Sequence, residues 1–557
     1  MLGQQRPASA RKTTPHCNAS PLALFYHPQV ATQRQPTGPE NAGHRAGKVF
    51  LVGAGPGDAG LITWRGVECL RQADAVLYDY LVNPAILRHA RADCRLICLG
   101  RHRRHEGGAA SGGERIWPQA EINEQIVQLA RAGQRIVRLK GGDPAIFGRL
   151  AEEVAALEAT GIEYEIVPGI TAAQAAGPYA GVWITQRDVA SAVAFITGHE
   201  GDSPDPPPLD YAALAAFPGT LVFYMGVTTA RMWTAALVAA GKPARTPAVI
   251  VRRCSWPDQV TIRCTLGTIA DAIEASRIRP PVAIIVGDVA VTAASPEMTW
   301  FTRRRLFGKR ILLTRPIDRT DALFQPLAQF GADCLVQPAI TIGPPPDWQP
   351  VDAALTRLSE FDWLVFSSVN GVQFLLDRLL ESGRDLRHLA GVKLAAIGPG
   401  TAEELAKYHL HVDDQPAEVY RAEALAELLA KDARGKGFLL ARASRGREVL
   451  AETLRAAGGH VEQVVVYSST DVEKADPQIA AALKAGHIDW ITITSSAIAR
   501  SLAKMFGQDL HQAKIGSISP VTSATLGELG FKPATEAARY TMEGVVDAIL
   551  AYEGRTP

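Results

Sequence analysis

The sequence predicts an α/β protein of several lobes. Three observations carry this: the chain's length, an alternation of short β-branched runs with helix-like stretches, and a second half that repeats itself. At 557 residues the chain is too long for one compact core, because domains cluster at roughly 100–200 residues, so three or four structural units are expected. From Lys48 onward, β-branched runs at 49–52, 75–78, 135–139 and 164–167 alternate with helical stretches such as 121–132. Strands separated by helices imply lobes with largely parallel sheets. Between Ser295 and Arg310 the texture changes, and SPEMTWFTRRRLFGKR leads into a fresh strand at 311–314. The boundary is placed there, dividing the chain into 1–46, 47–303 and 304–557.

The repeat lies in the last of these segments. FDWLVFSSVNG at 361–371 is echoed by IDWITITSSAI at 488–498, with Asp362, Trp363, Ser367 and Ser368 matched to Asp489, Trp490, Ser495 and Ser496. A second echo follows each: Lys393, Ile397, Pro399 and Thr401 recur as Lys514, Ile518, Pro520 and Thr522. Two like lobes facing each other are implied. In each echo a buried strand ends in Ser, Thr or Gly just before a helix, which suits both a helix cap and an anion held by free backbone N–H groups.

Composition narrows the function classes. The chain has 58 basic and 57 acidic side chains and a formal charge of +1, so no global field points to nucleic acid. An anionic substrate must be held by local arginines and helix N-termini. The seven cysteines are scattered without a CxxC pair; no metal is expected, and a reducing, cytoplasmic location fits. Cys94 and Cys98 read as two small buried side chains. Apolar runs such as 282–286 are broken by Gly287 and Asp288, short of the roughly 20 residues of a membrane helix. Residues 1–46 hold one acid, Glu40, among Arg6, Arg11, Lys12, Arg34 and Arg45. They read as a disordered tail, with an organelle transit peptide as the alternative.

The loop VGAGPGD at 52–58, with Asp79 ending the second strand, nearly imitates a dinucleotide fingerprint. Two residues oppose that reading, and with it a nicotinamide-dependent oxidoreductase. Asp58 stands where a third glycine would let helix and strand pack closely, and Pro56 removes a backbone donor. Taken with RLKGGDP at 138–144, PGITAA at 168–173 and FYMG at 223–226, the loop belongs to a more specific set. In these motifs residues 47–303 resemble the tetrapyrrole methylase family, and within it the uroporphyrinogen-III methyltransferases. The resemblance implies two α/β lobes with S-adenosylmethionine between them, and usually a homodimer through this half. By the same resemblance Pro56, Gly141, Gly142, Asp143, Ile146, Thr171, Ala172 and Met225 surround the cofactor, with Cys254 replacing a glycine. Asp79 matches the family's proton acceptor. Arg101 stands where the family has a lysine proton donor, and a guanidinium is a poor proton shuttle; His102 and His105 are the nearby alternatives. A Gly-rich insertion follows at 107–113, and Gln186 replaces a histidine. A half that binds the cofactor but methylates poorly is the alternative these departures leave open.

Residues 304–557 resemble uroporphyrinogen-III synthases in the strand before Arg315 and Pro316, the SSVNG and IGPGTA turns, LLARASRGR at 439–447, VVVYSS and the second TSS turn. The implied fold is two α/β lobes joined by crossing strands near Pro338 and near 467–469. The implied substrate, linear hydroxymethylbilane with its eight carboxylates, closes between them with one pyrrole inverted. Thr314, Arg315, Ser368, Thr401, Arg442, Ser496 and Thr522 are the expected donors around the cleft and Tyr420 the expected catalytic phenol, while Arg445 and Arg447 read as a solvated face. The second half would then make the uroporphyrinogen III that the first half methylates twice to precorrin-2, on the way to siroheme or cobalamin. A two-lobed binding protein is the non-enzymatic alternative.

Overall fold

Four five-stranded sheets organise the protein in a computed structural model that describes residues 47–91, 93–100, 117–198, 209–291, 299–316 and 321–554. The first sheet holds β1 (Lys48–Gly53), β2 (Ala75–Tyr78), β3 (Arg95–Cys98), β4 (Ile136–Lys140) and β5 (Glu163–Val167) in the order β3-β2-β4-β1-β5. Every pairing in it is parallel, so all five strand ends and the loops after them lie along one edge. Local chemistry sets the crossovers. Thr63 caps the helix Trp64–Arg71 by accepting from Gly66 N–H, and Gly161, at φ +66°, ends the helix Leu150–Thr160.

The second sheet holds β6 (Val193–Thr197), β7 (Thr220–Tyr224), β8 (Pro247–Arg252), β9 (Val260–Thr265) and β10 (Val282–Val286), ordered β6-β7-β10-β8-β9. Here the expectation of largely parallel sheets fails. Only β6 and β7 run parallel, and the other three pairings are antiparallel. The cause is the connection from β8 to β9, whose few residues can make a tight turn but not the crossover that parallel strands need.

The third sheet is again all parallel, with β11 (Arg310–Leu313), β12 (Asp333–Val336), β18 (Trp490–Ile493), β19 (Lys514–Ser517) and β20 (Thr535–Glu536). The fourth holds β13 (Ile340–Gly343), β14 (Trp363–Phe366), β15 (Lys393–Ala396), β16 (Gly437–Ala443) and β17 (His460–Asp471), in the order β13-β17-β16-β14-β15. The chain crosses between these two sheets at Pro338 and returns after β17. The two straps, expected from the family resemblance, form an antiparallel ladder from Ile340 opposite Asp471 to Gly343 opposite Ser468.

The sequence echoes are structural equivalents. Trp363 pairs with Lys393 and Trp490 with Lys514, and each lysine ammonium lies over the indole it pairs with, at 5.2 and 5.4 Å. Asp362 accepts from Gly437 N–H and Asp489 from Arg310 N–H, both at 2.8 Å, so in each lobe the carboxylate fixes the start of a neighbouring strand. Between the two halves of the chain, Arg88 pairs with Asp321 at 3.0 Å and lies over the Phe324 ring; within the first half, the Trp300 indole donates to the Pro178 carbonyl at 2.7 Å. No helix among the described residues is long and apolar enough to cross a membrane.

Candidate active sites

The parallel edge of the first sheet brings three glycine loops into backbone contact. Gly55 and Gly142 exchange hydrogen bonds of 3.1 and 2.8 Å. A Cβ on Gly169 would stand 2.2 Å from the Gly142 carbonyl oxygen and 2.8 Å from Gly53 Cα, so only glycine admits this approach. Asp143 clasps the arrangement: one carboxylate oxygen accepts from Ala145 N–H and the other from Gly169 N–H, each at 2.8 Å. Gly142, at φ +70°, leaves bare backbone beside Thr171, whose Cα is 4.0 Å from where a Cβ would point.

Residues of the second sheet meet this edge. The Tyr224 hydroxyl accepts from Ala173 N–H at 2.9 Å and shares a 2.7 Å hydrogen bond with Thr171, joining β7 to the N-terminus of the helix Ala172–Ala180. Burial raises the Tyr224 phenol above its ordinary value. Phe147 tilts against the Tyr224 ring, centroids 5.3 Å apart. Met225 follows with φ +51° and is 48% exposed. Phe147, Arg149, Arg253 and Ser255 share its left-handed backbone, a costly state for non-glycine residues that collects where surrounding structure enforces it. Ile146 sits in the turn after Asp143, its N–H on the Asp143 carbonyl.

Pro56 and Asp58 fasten the first loop to the second lobe. The Pro56 carbonyl accepts from the Trp256 indole at 3.2 Å, Asp58 N–H donates to Ser255 Oγ at 2.9 Å, and Tyr179 donates its hydroxyl to Asp58 Oδ2 at 2.9 Å. Tyr179, Ser255 and Trp256 were not foreseen, because only the chain crossing brings 53–58 and 253–256 together. Cys254 lies between these contacts and is buried in the apolar core of the second lobe; burial pushes its thiol up to about 12. Gln186 forms a backbone bridge with Ala190. Arg101, His102, His105 and the 107–113 insertion lie outside the described residues.

Asp79, directly after β2, stands beside a buried run of charge. Arg138 donates to Asp79 Oδ1 at 2.6 Å through Nη2 and to Glu153 Oε1 at 3.0 Å through Nε. Lys140 reaches the same Glu153 oxygen at 2.8 Å. The side chains of Arg138, Lys140 and Glu153 are 3%, 3% and 0% exposed. Burial lowers the Lys140 amine and the neighbouring Arg138 charge adds to that. At Arg138 burial pulls down, but the Asp79 and Glu153 carboxylates more than offset it.

In the second half a cavity of about 290 Å³ opens between the two lobes. Arg315, Thr494 and Ser495 line it from one lobe, Asn370, Arg445 and Tyr467 from the other, and Ile340 and Ile342 from a strap. Arg445, expected on a solvated face, is therefore a cleft residue. It reaches Asp471 at 2.5 Å and Ser469 at 3.1 Å because β17 carries those side chains beneath it. Arg447 pairs with Glu423 instead.

Of the expected donors, only Arg315 lines this cavity. Thr314 is fully buried and donates to the Thr492 carbonyl, Arg442 is held by Glu448 and Gln463, and Thr401 is buried in its helix. Ser368 and Ser495 are the equivalent helix caps, accepting from Gly371 and Ile498 N–H. The echo is thus one residue out of the expected register. Thr494 matches Ser367, and Ser496 begins its helix and accepts from Thr525. Thr522 bonds with the cap Ser519. The Tyr420 hydroxyl donates to the Ala417 carbonyl at 3.1 Å while its ring covers Gly398. Tyr467 is the phenol on the cavity, 3.1 Å from Ser368 Oγ.

Residues 48–270 match the family model described as tetrapyrrole (corrin/porphyrin) methylases, and residues 321–547 match the one described as uroporphyrinogen-III synthase HemD. The chain is 33% identical over 504 residues to the porphyrin biosynthesis protein HemD of Ruminiclostridium josui, covering 90% of this chain and 95% of that protein. It is 36% identical over 367 residues to the uroporphyrinogen-III C-methyltransferase of Bacillus subtilis, covering 65% of this chain and 71% of that protein. A solved uroporphyrin-III C-methyltransferase of Thermus thermophilus, complexed with S-adenosylhomocysteine, aligns with a TM-score of 0.37 and 34% identity, covering 44% of this chain and all of that one.

Proposed function

The chain belongs to the family that fuses a tetrapyrrole methylase to a uroporphyrinogen-III synthase, and on that premise we propose how its own residues carry the two reactions, with a functional boundary at 303/304. It is a bifunctional enzyme of tetrapyrrole biosynthesis, a uroporphyrinogen-III C-methyltransferase and a uroporphyrinogen-III synthase. The observation that carries the residue assignment is the meeting of the bare-backbone edge at Gly55, Gly142 and Gly169 with Tyr224, Met225 and the 253–256 turn.

That edge fits S-adenosylmethionine: exposed glycine backbone admits a bulky ligand and offers amides, while Met225 and Ile146 supply apolar surface. When bound, the cofactor supplies an electrophilic sulfonium methyl group. Pro56, Gly141, Gly142, Ile146, Thr171, Ala172 and Met225 hold it, with Asp143 keeping the loops in place. Methylation of a pyrrole carbon of uroporphyrinogen III by that group would leave the ring with a proton to lose. Asp79 takes the proton that the methylated ring must lose; Arg138 holds Oδ1, which leaves Oδ2 to receive it. Two rounds give precorrin-2.

In the second half Arg315 and Arg445 bind carboxylates of hydroxymethylbilane from opposite lobes. Tyr467, and not Tyr420, assists departure of the hydroxyl group, because its phenol is the one on the cavity. The lobes hold the chain ends together with one pyrrole inverted.

Anaerobic incubation of the full chain with hydroxymethylbilane and S-adenosylmethionine tests the reading. Mass spectrometry is expected to find a macrocycle with two added methyl groups. Unmethylated products from folded protein that ignores both S-adenosylmethionine and S-adenosylhomocysteine in calorimetry would overturn it.

A further inference from the structure

The buried charges behind Asp79 have no evident purpose in stability. Replacing such ion groups by well-packed apolar side chains is often neutral or stabilising, since desolvation offsets much of their attraction. Here they sit under the edge where the glycine loops meet. Arg138 and Lys140 are alternate residues of β4, and Glu153 enters from the helix Leu150–Thr160. Glu153 Oε1 accepts from Arg138 Nε, Lys140 Nζ and, at 3.3 Å, Gln119 Nε2. Its other oxygen, Oε2, is buried with no hydrogen-bond partner among the described residues. Glu153 therefore directs its bonding to one point, where it fixes the Arg138 fork with Nε toward the helix and Nη2 toward Asp79.

The same strand end carries the cofactor loop. The Lys140 carbonyl accepts from Ala54 N–H at 2.8 Å, and Gly141 and Gly142 follow directly. The cradle and the arginine that holds the base are thus mounted on one strand, beside the β2 end that carries Asp79, an arrangement that keeps reacting groups in register.

We propose that Arg138, Glu153 and Lys140 are positioning residues for methyl transfer: Glu153 orients Arg138, and Arg138 holds the Asp79 carboxylate in place to accept the substrate proton. The inference rests on the reading of Asp79 as proton acceptor. The charged and titratable groups around Asp79 among the described residues are Arg138, Lys140, Glu153 and Tyr80. Tyr80 is pushed up to about 12 by burial and by Asp79, so it stays neutral across the working range.

Arg138→Met removes the group that holds the Asp79 carboxylate, and Glu153→Gln weakens the hold on the Arg138 fork. The test uses the full-length enzyme with uroporphyrinogen III and S-adenosylmethionine. Each variant is expected to lower kcat for methylation about tenfold or more, with KM for both substrates and the affinity for S-adenosylhomocysteine within about twofold of the parent. Arg138→Lys, which keeps the charge but not the fork, recovers part of the loss. The retained affinity for S-adenosylhomocysteine reports that the first half of each variant is folded, and hydroxymethylbilane cyclisation in the other half stays at the parental rate.

Parental kcat in Arg138→Met and Glu153→Gln would overturn the inference. So would loss of S-adenosylhomocysteine binding, which would make the network a support for the loops only. Undiminished methylation by Asp79→Asn would instead remove the reading of Asp79 on which it rests.

Discussion

Asp362 shows what one carboxylate does for a lobe. Its oxygens receive Lys436 Nζ and Gly437 N–H, each at 2.8 Å, and these bonds hold it below the ordinary carboxylate value of 3.8. A group lowered on folding stabilises the native state above its unfolded value, and that contribution is lost as the pH falls through the lowered one. Asp362→Asn is therefore expected to unfold at a lower temperature than the parent at pH 7 and pH 5, with the gap closing toward pH 2. The side chain is 38% exposed and solvent screens it, so the difference stays below about 1 kcal/mol; thermal melts across that range check it. Single residues were legible where their partners are near in sequence, as with the cap at Ser368. Arg445 was not, because its neighbours Ser469 and Asp471 arrive from a strand more than twenty residues later. Asp58 could be singled out in its loop, but its bond to Tyr179 spans 121 residues that no local pattern connects.

Among elements, the glycine loops make the sharpest demand. A Cβ at Gly169 would enter the Gly142 carbonyl at 2.2 Å, and both partners are backbone with little freedom to yield. Gly169→Ala is expected to displace the loops at a cost of about 1–3 kcal/mol and to weaken S-adenosylhomocysteine binding at least tenfold, read by calorimetry, while cyclisation continues. Four of the five strands of the first sheet could be read from their β-branched runs within a residue or two, since buried parallel strands favour such runs; β3 could not, because it opens on the exposed residues Arg95 and Leu96. The antiparallel pairings of the second sheet could not, because direction depends on connection length and not on strand composition. The echo was visible through Asp362, Trp363 and their matches, yet its register slipped by one at the serines. Runs of small hydroxyl residues look alike in sequence, and only the cap hydrogen bonds to Gly371 and Ile498 distinguish them.

The whole molecule places its two sites on separate pairs of sheets, the methylation edge on the first two and the cavity on the last two. With the two sites on separate sheets, point changes are expected to separate the activities. Asp79→Asn is expected to carry hydroxymethylbilane to the inverted macrocycle and stop there, giving unmethylated product while S-adenosylhomocysteine still binds. The converse is Arg445→Ala paired with Thr494→Val. Losing a charge-assisted hydrogen bond to a substrate carboxylate is worth about 1.5–3 kcal/mol, so KM for hydroxymethylbilane should rise about tenfold or more. As enzymatic closure slows, unassisted closure competes, and chromatography should then show a larger share of the isomer in which no pyrrole is inverted. Uroporphyrinogen III supplied directly to that variant should still gain two methyl groups at the parental rate. A parental isomer ratio and KM in the double variant would remove Arg445 from the binding of substrate and leave it only as the tie between its loop and β17.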